Sequence, residues 1–145
     1  MVATRLSISI PASKYRVQWD QIAIMRQFHD APVDTMGAYA LANFNKAKNA
    51  EFRFQALIAT LLSPQTKDKM TYVAFVGLID LVNPSPLIPS SLAIQSEADI
   101  MAAIKPVSFY KIKAINVKAA AVTCHEVYND DIPIKIDDLL AFKVI

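Results

Sequence analysis

The sequence predicts an all-α fold, on three observations. Only two glycines, Gly37 and Gly77, occur in 145 residues, where average usage would supply roughly ten, so the positive-φ turns of β-hairpins are scarce. Phe54, Leu57, Ile58, Leu61 and Leu62 follow the i, i+3, i+4, i+7, i+8 spacing of a buried helix face. A longer stretch, Phe109 to Tyr128, carries two neighbouring apolar lines at the same period. With 54% hydrophobic residues, 19% charged residues and a formal net charge of +2, the composition is that of one globular domain.

Residues 1–18 form a basic tail, in which Arg5, Lys14 and Arg16 precede the first acid, Asp20. Its expected state is disorder; an organelle transit segment is the alternative, against which Pro11 speaks by interrupting any amphipathic helix. Residues 19–145 form the helical domain. Trp19, Ile22, Met25 and Phe28 space a first helix that stops before Pro32. From His29 to Ala50, Pro32, Gly37 and three asparagines interrupt any period, predicting an extended surface connection with at most a helical turn near Tyr39. A helix through Phe54–Leu62 ends at Pro64, which biases Ser63 out of helical geometry. Thr66 is placed to cap the next helix, with Asp68 in its first turn and Met70, Val73, Ala74, Leu78 and Leu81 on its buried face. Asn83 through Pro89 reads as a rigid loop. Ser96 and Asp99 resemble a capping box opening a short helix that Pro106 ends. The helix over Phe109–Tyr128 is expected to be central, packed on both apolar lines, with Lys111, Lys118 and His125 as its polar strip. Asp137 is expected to cap a final short helix over Leu139–Ala141.

Composition excludes several chemistries. Two separated glycines supply neither a phosphate-cradling loop nor a dinucleotide fingerprint. One cysteine supplies neither a disulfide framework nor a cysteine-ligated zinc or iron–sulfur site. The longest uncharged apolar windows, Phe54–Gln65 and Met70–Ile79, fall short of the ~20 residues that a membrane-crossing helix needs, so no membrane partner is expected, and nothing sets an oligomeric state. Cys124 lies on a buried stripe and reads as a small inert hydrophobe; the adjacent His125 points about 100° away from it on a helix. His29 and His125 have no partners at metal-ligand spacing. Asp130–Asp131 and Asp137–Asp138 suit turns and caps better than acid–base chemistry. No complete catalytic constellation and no metal site is present. The segment that stands out is Leu61-Leu62-Ser63-Pro64-Gln65-Thr66-Lys67-Asp68, which gathers amide, hydroxyl, amine and carboxylate groups in one interhelical turn. It reads either as a well-capped helix hairpin or as a turn that presents a wedge.

Arg53-Phe54-Gln55-Ala56-Leu57-Ile58-Ala59-Thr60-Leu61-Leu62-Ser63-Pro64-Gln65-Thr66-Lys67-Asp68 resembles the helix hairpin of endonuclease III-type DNA glycosylases. Pro32–Gly37, Pro106–Ala114 and Asp131-Ile132-Pro133 resemble further segments of the eukaryotic members in the same order. The resemblance runs from about Trp19 to Ala141. It implies the N-terminal part of the helical glycosylase fold, an incomplete six-helix barrel, in a base-excision-repair enzyme of the nucleus or mitochondrion. Such enzymes excise oxidised pyrimidines from double-stranded DNA and nick the abasic strand through a Schiff base. By the same resemblance, Gln65 enters the stack vacated by a flipped nucleotide, Thr66, Lys67 and Asp68 line the DNA-facing region, and Tyr110, Lys111 and Lys113 lie near the backbone, where the lysines neutralise phosphates.

The departures from the family pattern lie at the C-terminal end. The glycine hairpin with its nucleophilic lysine, the catalytic aspartate and the four cysteines of the iron–sulfur cluster have no counterpart in these 145 residues. Lys143 lacks the glycines that would fix a nucleophile, and Ser108 replaces a glycine before the aromatic pair, a substitution expected to strain any positive φ there. The expectation is a chain truncated before the catalytic hairpin, without catalytic residues or cofactor of its own and inactive by itself, with an exposed apolar patch where the missing helices would pack. The alternative is a non-catalytic helical module that binds DNA or another protein.

Overall fold

In the computed structural model, residues 15–42 and 49–142 are described. Most of the expected tail, with Arg5 and Lys14, lies outside them, as does Lys143. The described residues are helical and turn-forming, with no strand among them, as the sequence predicts. The chain divides into two compact units, Met1–Ala31 and Pro32–Ile145.

The first unit contains α1 (Arg16–Met25), closed by a 3-10 turn at Arg26–Phe28. Arg16 donates to Asp20 one turn on, at 3.2 Å. Trp19, Ile22, Met25 and Phe28 are exposed, since one helix and its trailing turn give each other no core. His29, at φ 48°, ends the turn in the left-handed region.

The second unit opens where an extended connection is expected, and here the structure differs. Pro32–Met36 is α2 and Ala38–Ala42 is α3. Pro32 takes the first helical position, where a missing N–H costs nothing. The Gly37 amide closes α2 on the Val33 carbonyl at 3.0 Å, while its own carbonyl accepts from Leu41 at 2.9 Å to open α3. Helices of five residues are too short to show a period. The turn expected near Tyr39 is α3, whose Tyr39 ring meets Phe52 edge-on at 5.7 Å.

α4 (Ala50–Leu62) is capped by Asn49, whose side chain accepts from the Phe52 amide at 3.2 Å, and it buries Phe54, Leu57, Ile58 and Leu62 as the spacing requires. α5 (Asp68–Val82) starts without Thr66 as its cap; Lys67 holds that position and makes no side-chain cap bond. Its buried face is also turned: Thr71, Ala74, Phe75, Leu78 and Val82 are inside and Val73 is exposed, because the Phe75 ring, the bulkiest side chain after Tyr72, centres the face. The loop after α5 gives way at Pro89 to α6 (Pro89–Ala93), again with proline in the first turn. α7 (Glu97–Ala103) is capped as expected, the Asp99 amide donating to Ser96 Oγ at 3.1 Å.

α8 (Tyr110–Glu126) packs against α4, α6 and α7. Ala114, Val117, Ala121 and Cys124 are buried as expected. Of the second apolar line, Ile112, Ile115 and Ala119 are exposed and Val122 is half-buried, because α4, α6 and α7 pack on the opposite side of the helix. Lys118 leaves the expected polar strip and donates to the carbonyls of Ala93 and Gln95, closing the C-terminal end of α6. α9 (Ile136–Leu140) is capped at Lys135, with Asp137 in its first turn rather than at the cap.

Candidate nucleic-acid interface

The turn between α4 and α5 is built by an unusual route. Ser63 stays right-handed (φ −72°, ψ −31°) despite the following proline, its amide closing on Ala59 at 3.1 Å. The departure from helical geometry expected at Ser63 falls instead on Gln65, whose φ of 53° is left-handed. A non-glycine residue held there stores about 1–2 kcal/mol of strain. The Thr66 amide then closes the turn on the Ser63 carbonyl at 3.0 Å. Gln65 and Lys67 are exposed at the apex, and Asp68 is half-buried in the first turn of α5. Pro32, Met36 and residues 66–69 enclose a concavity of about 540 Å3 beside the apex.

Beneath the turn sits Lys113, only 7% exposed. Its ammonium donates to the carbonyls of Leu62 at 2.6 Å and Pro64 at 2.8 Å and to Thr66 Oγ1 at 3.0 Å. Those bonds use all three of its protons. Burial holds its pKa below the ordinary lysine value. The Thr66 hydroxyl, released from capping, donates to the Pro64 carbonyl at 3.3 Å and accepts from the Ser108 amide at 3.2 Å. The segment before α8 is thereby tied to the turn.

The structure thus brings Gln65, Thr66, Lys67, Asp68 and Lys113 together, with Lys113 on the inner side rather than facing solvent. Lys111 is exposed on the first turn of α8, and Tyr110 packs against the core. The strain expected at Ser108 falls one residue later, at Phe109 with φ 56°, where the exposed ring and Pro64 share a hollow of about 400 Å3 with Leu57, Leu61 and Ile112. The sequence carried a signal for the inner position of Lys113: it stands three residues after Tyr110 and four before Val117, on the buried stripe of α8. No sequence pattern marks a partner for Arg53. It is bidentate to Asp131, at 2.9 and 2.5 Å, and this bond holds the Asp131 carboxyl below the usual carboxylate range. Asp131 therefore joins the start of α4 to the loop after α8, beyond the turn duty read for it.

Among the described residues no group of three or more His, Cys, Asp or Glu side chains could hold a metal ion, and no helix is long and apolar enough to cross a membrane. Cys124 is buried, and burial foremost, with the Asp131 and Asp130 charges behind it, pushes its thiol up to about 12. A protonated core thiol without others beside it does not fit an iron–sulfur cluster, which needs four thiolate ligands. His125 Nδ1 lies 3.0 Å from Asp130 at the surface.

Fold and site define an all-helical domain that presents a strained polar turn, braced from inside and flanked by exposed lysines. The chain is similar to endonuclease III homolog 1, chloroplastic, of Arabidopsis thaliana, at 38% identity over 117 residues, covering 81% of this chain and 30% of that protein. It is similar to the endonuclease III homolog of Schizosaccharomyces pombe at 32% identity, covering 90% and 36% of the two chains. Endonuclease III-like protein 1 of Bos taurus matches at 31% identity, covering 88% and 40%. Over most of its residues the chain is similar to these endonuclease III homologues, and it spans roughly a third of their length. No family model matches it.

Proposed function

We propose that these residues form the DNA-facing helix hairpin of a base-excision-repair glycosylase, with double-stranded DNA carrying an oxidised pyrimidine as the partner. The observation that supports this most is Gln65, exposed at a left-handed apex that the interior holds in place. An amide fixed there fills the gap left by an extruded nucleotide and hydrogen-bonds the orphan base, offsetting part of the few kcal/mol that extrusion costs. The exposed Lys67, Lys69 and Lys111 supply phosphate contacts around it. The compartment in this reading is the nucleus or mitochondrion.

Glycosylase–lyase chemistry needs a deprotonated lysine and a carboxylate to steady the cationic intermediate. Lys113, the one lysine buried at the turn, has its protons committed to the backbone and Thr66 and no carboxylate among its partners. The 145-residue chain is therefore expected to bind without reacting. Fluorescence anisotropy should show tighter binding to a duplex with an abasic analogue than to an intact one, the difference shrinking about tenfold in Gln65→Ala. Equal affinities for the two duplexes would remove the reading, and a borohydride-trapped adduct on any lysine would remove its inactive half. The exposed row of Phe109, Ile112 and Ile115 favours a second reading, a non-catalytic module that binds another protein. That reading gains if the chain melts cooperatively and ignores DNA.

A further inference from the structure

We propose that Lys113 is the positioning residue of the DNA-facing turn, holding Gln65 at its left-handed apex, rather than a phosphate contact. This inference rests on the functional reading of the turn given above.

The argument begins with the carbonyls. α4 ends in groups that no helical amide satisfies, and an ammonium is the best partner for them because the helix dipole is negative at that end. Lys113 reaches two carbonyls of this end, Leu62 and Pro64, from a different helix. Its third proton goes to Thr66 Oγ1, one residue past Gln65, so its bonds bracket the strained residue on both sides. Thr66 in turn binds the Ser108 amide, which fixes the start of α8 against the same turn. An ammonium in this position is a three-way pin. A phosphate contact would need Nζ in solvent with protons free, and the side chain has neither. Lys67, Lys69 and Lys111 nearby are exposed and better suited to that contact.

The two roles separate in their salt dependence. A lysine that neutralises one phosphate contributes about one unit to the slope of log affinity against log salt. A pin contributes none, and acts only through Gln65. Binding of the full 145-residue chain to abasic-analogue and intact duplexes is measured from low to moderate salt for wild type, Lys113→Met, Gln65→Ala and the double variant. Lys113→Met is expected to lose about tenfold of the preference for the abasic duplex, to keep the wild-type slope, and to add little on top of Gln65→Ala. A slope lower by about one, with the preference intact, would overturn the proposal.

Because Lys113→Met leaves two carbonyls without donors, Thr66→Val serves as the milder variant, and exchange of the backbone amide at position 66, which is bonded to the Ser63 carbonyl, as a readout independent of DNA. Both variants are expected to speed that exchange. Exchange unchanged in Thr66→Val, with the wild-type Lys113 ammonium protons exchanging as fast as those of Lys67, would also overturn the pin. If exchange at the turn speeds up while Gln65→Ala leaves DNA binding untouched, the pin stands and the DNA reading falls.

Discussion

Gln65 carries its backbone at φ 53° with no glycine to ease it. Asn and Asp tolerate that region by bonding their own backbone, which the longer Gln side chain does poorly. The residue is therefore disfavoured on conformational grounds, which accords with the proposed use of its side chain at the apex. Replacing it separates the two demands. Gln65→Gly removes about 1–2 kcal/mol of left-handed strain and gives back about 0.5–1 kcal/mol through the freer unfolded chain. The expected net gain is roughly 0.5 kcal/mol, a rise of a few degrees in melting temperature, together with loss of the preference for abasic duplex. A thermal melt checks the first and anisotropy the second; a lower melting temperature for Gln65→Gly would mean that the turn is not strained at this residue. The sequence made the turn visible as a run of polar groups after a buried helix. Its strain was not visible, because the proline pointed to Ser63 and nothing local indicates that Ser63 stays helical while Gln65 takes the reversal.

Helix pairs show where spacing is informative and where it is not. α4, α7 and α8 follow from period and caps, since each repeats its buried positions over enough turns or carries a capping serine. α2 and α3 do not, because five residues make little more than one turn and the proline and glycine that break long helices here start one and join both. Period also identifies a face without saying what covers it, which is why Ile112 and Ile115 of α8 are exposed while the stripe beside them is buried. Gly77 adds a constraint that no pattern marks. It lies in α5 against α7, and a Cβ built there would stand 2.7 Å from the Ala103 carbonyl oxygen. Helix propensity alone favours alanine by about 1 kcal/mol. Pushing two packed helices apart costs about 1–3 kcal/mol, and the neighbour is backbone, which cannot swing aside. Gly77→Ala is expected to lower stability by about 1 kcal/mol in a denaturant melt, and a more stable variant would show that α5 and α7 slide without cost.

Arg53 and Asp131 tie together positions 78 apart in the second unit. It fastens the first turn of α4 to the loop that leads from α8 to α9, and no local pattern reveals it, since Arg53 stands on a helix and Asp131 in a turn. The Arg53 bond foremost holds the Asp131 carboxyl below its ordinary value, helped by the Ile132 amide at 2.8 Å. A carboxyl whose pKa is depressed by folding adds stability that is complete above the unfolded value, about 3.9, and that fades as pH falls through the folded one. Both side chains are partly exposed, 41% for Arg53 and 24% for Asp131, so solvent screening limits the pair to about 1 kcal/mol. Asp131→Asn keeps an oxygen for the Ile132 amide and Arg53 Nε, and removes the charge together with the acceptor of the Arg53 Nη2 bond. At pH 7 the variant is expected to be less stable than wild type by about 1 kcal/mol, and the two stability curves should converge as the pH drops below the ordinary carboxylate range. Added salt should narrow the gap at pH 7, because half-exposed charges are screened. Parallel curves down to low pH would mean that the bond holds its geometry without contributing through its charge, and that the link between α4 and the α8–α9 loop rests on packing alone.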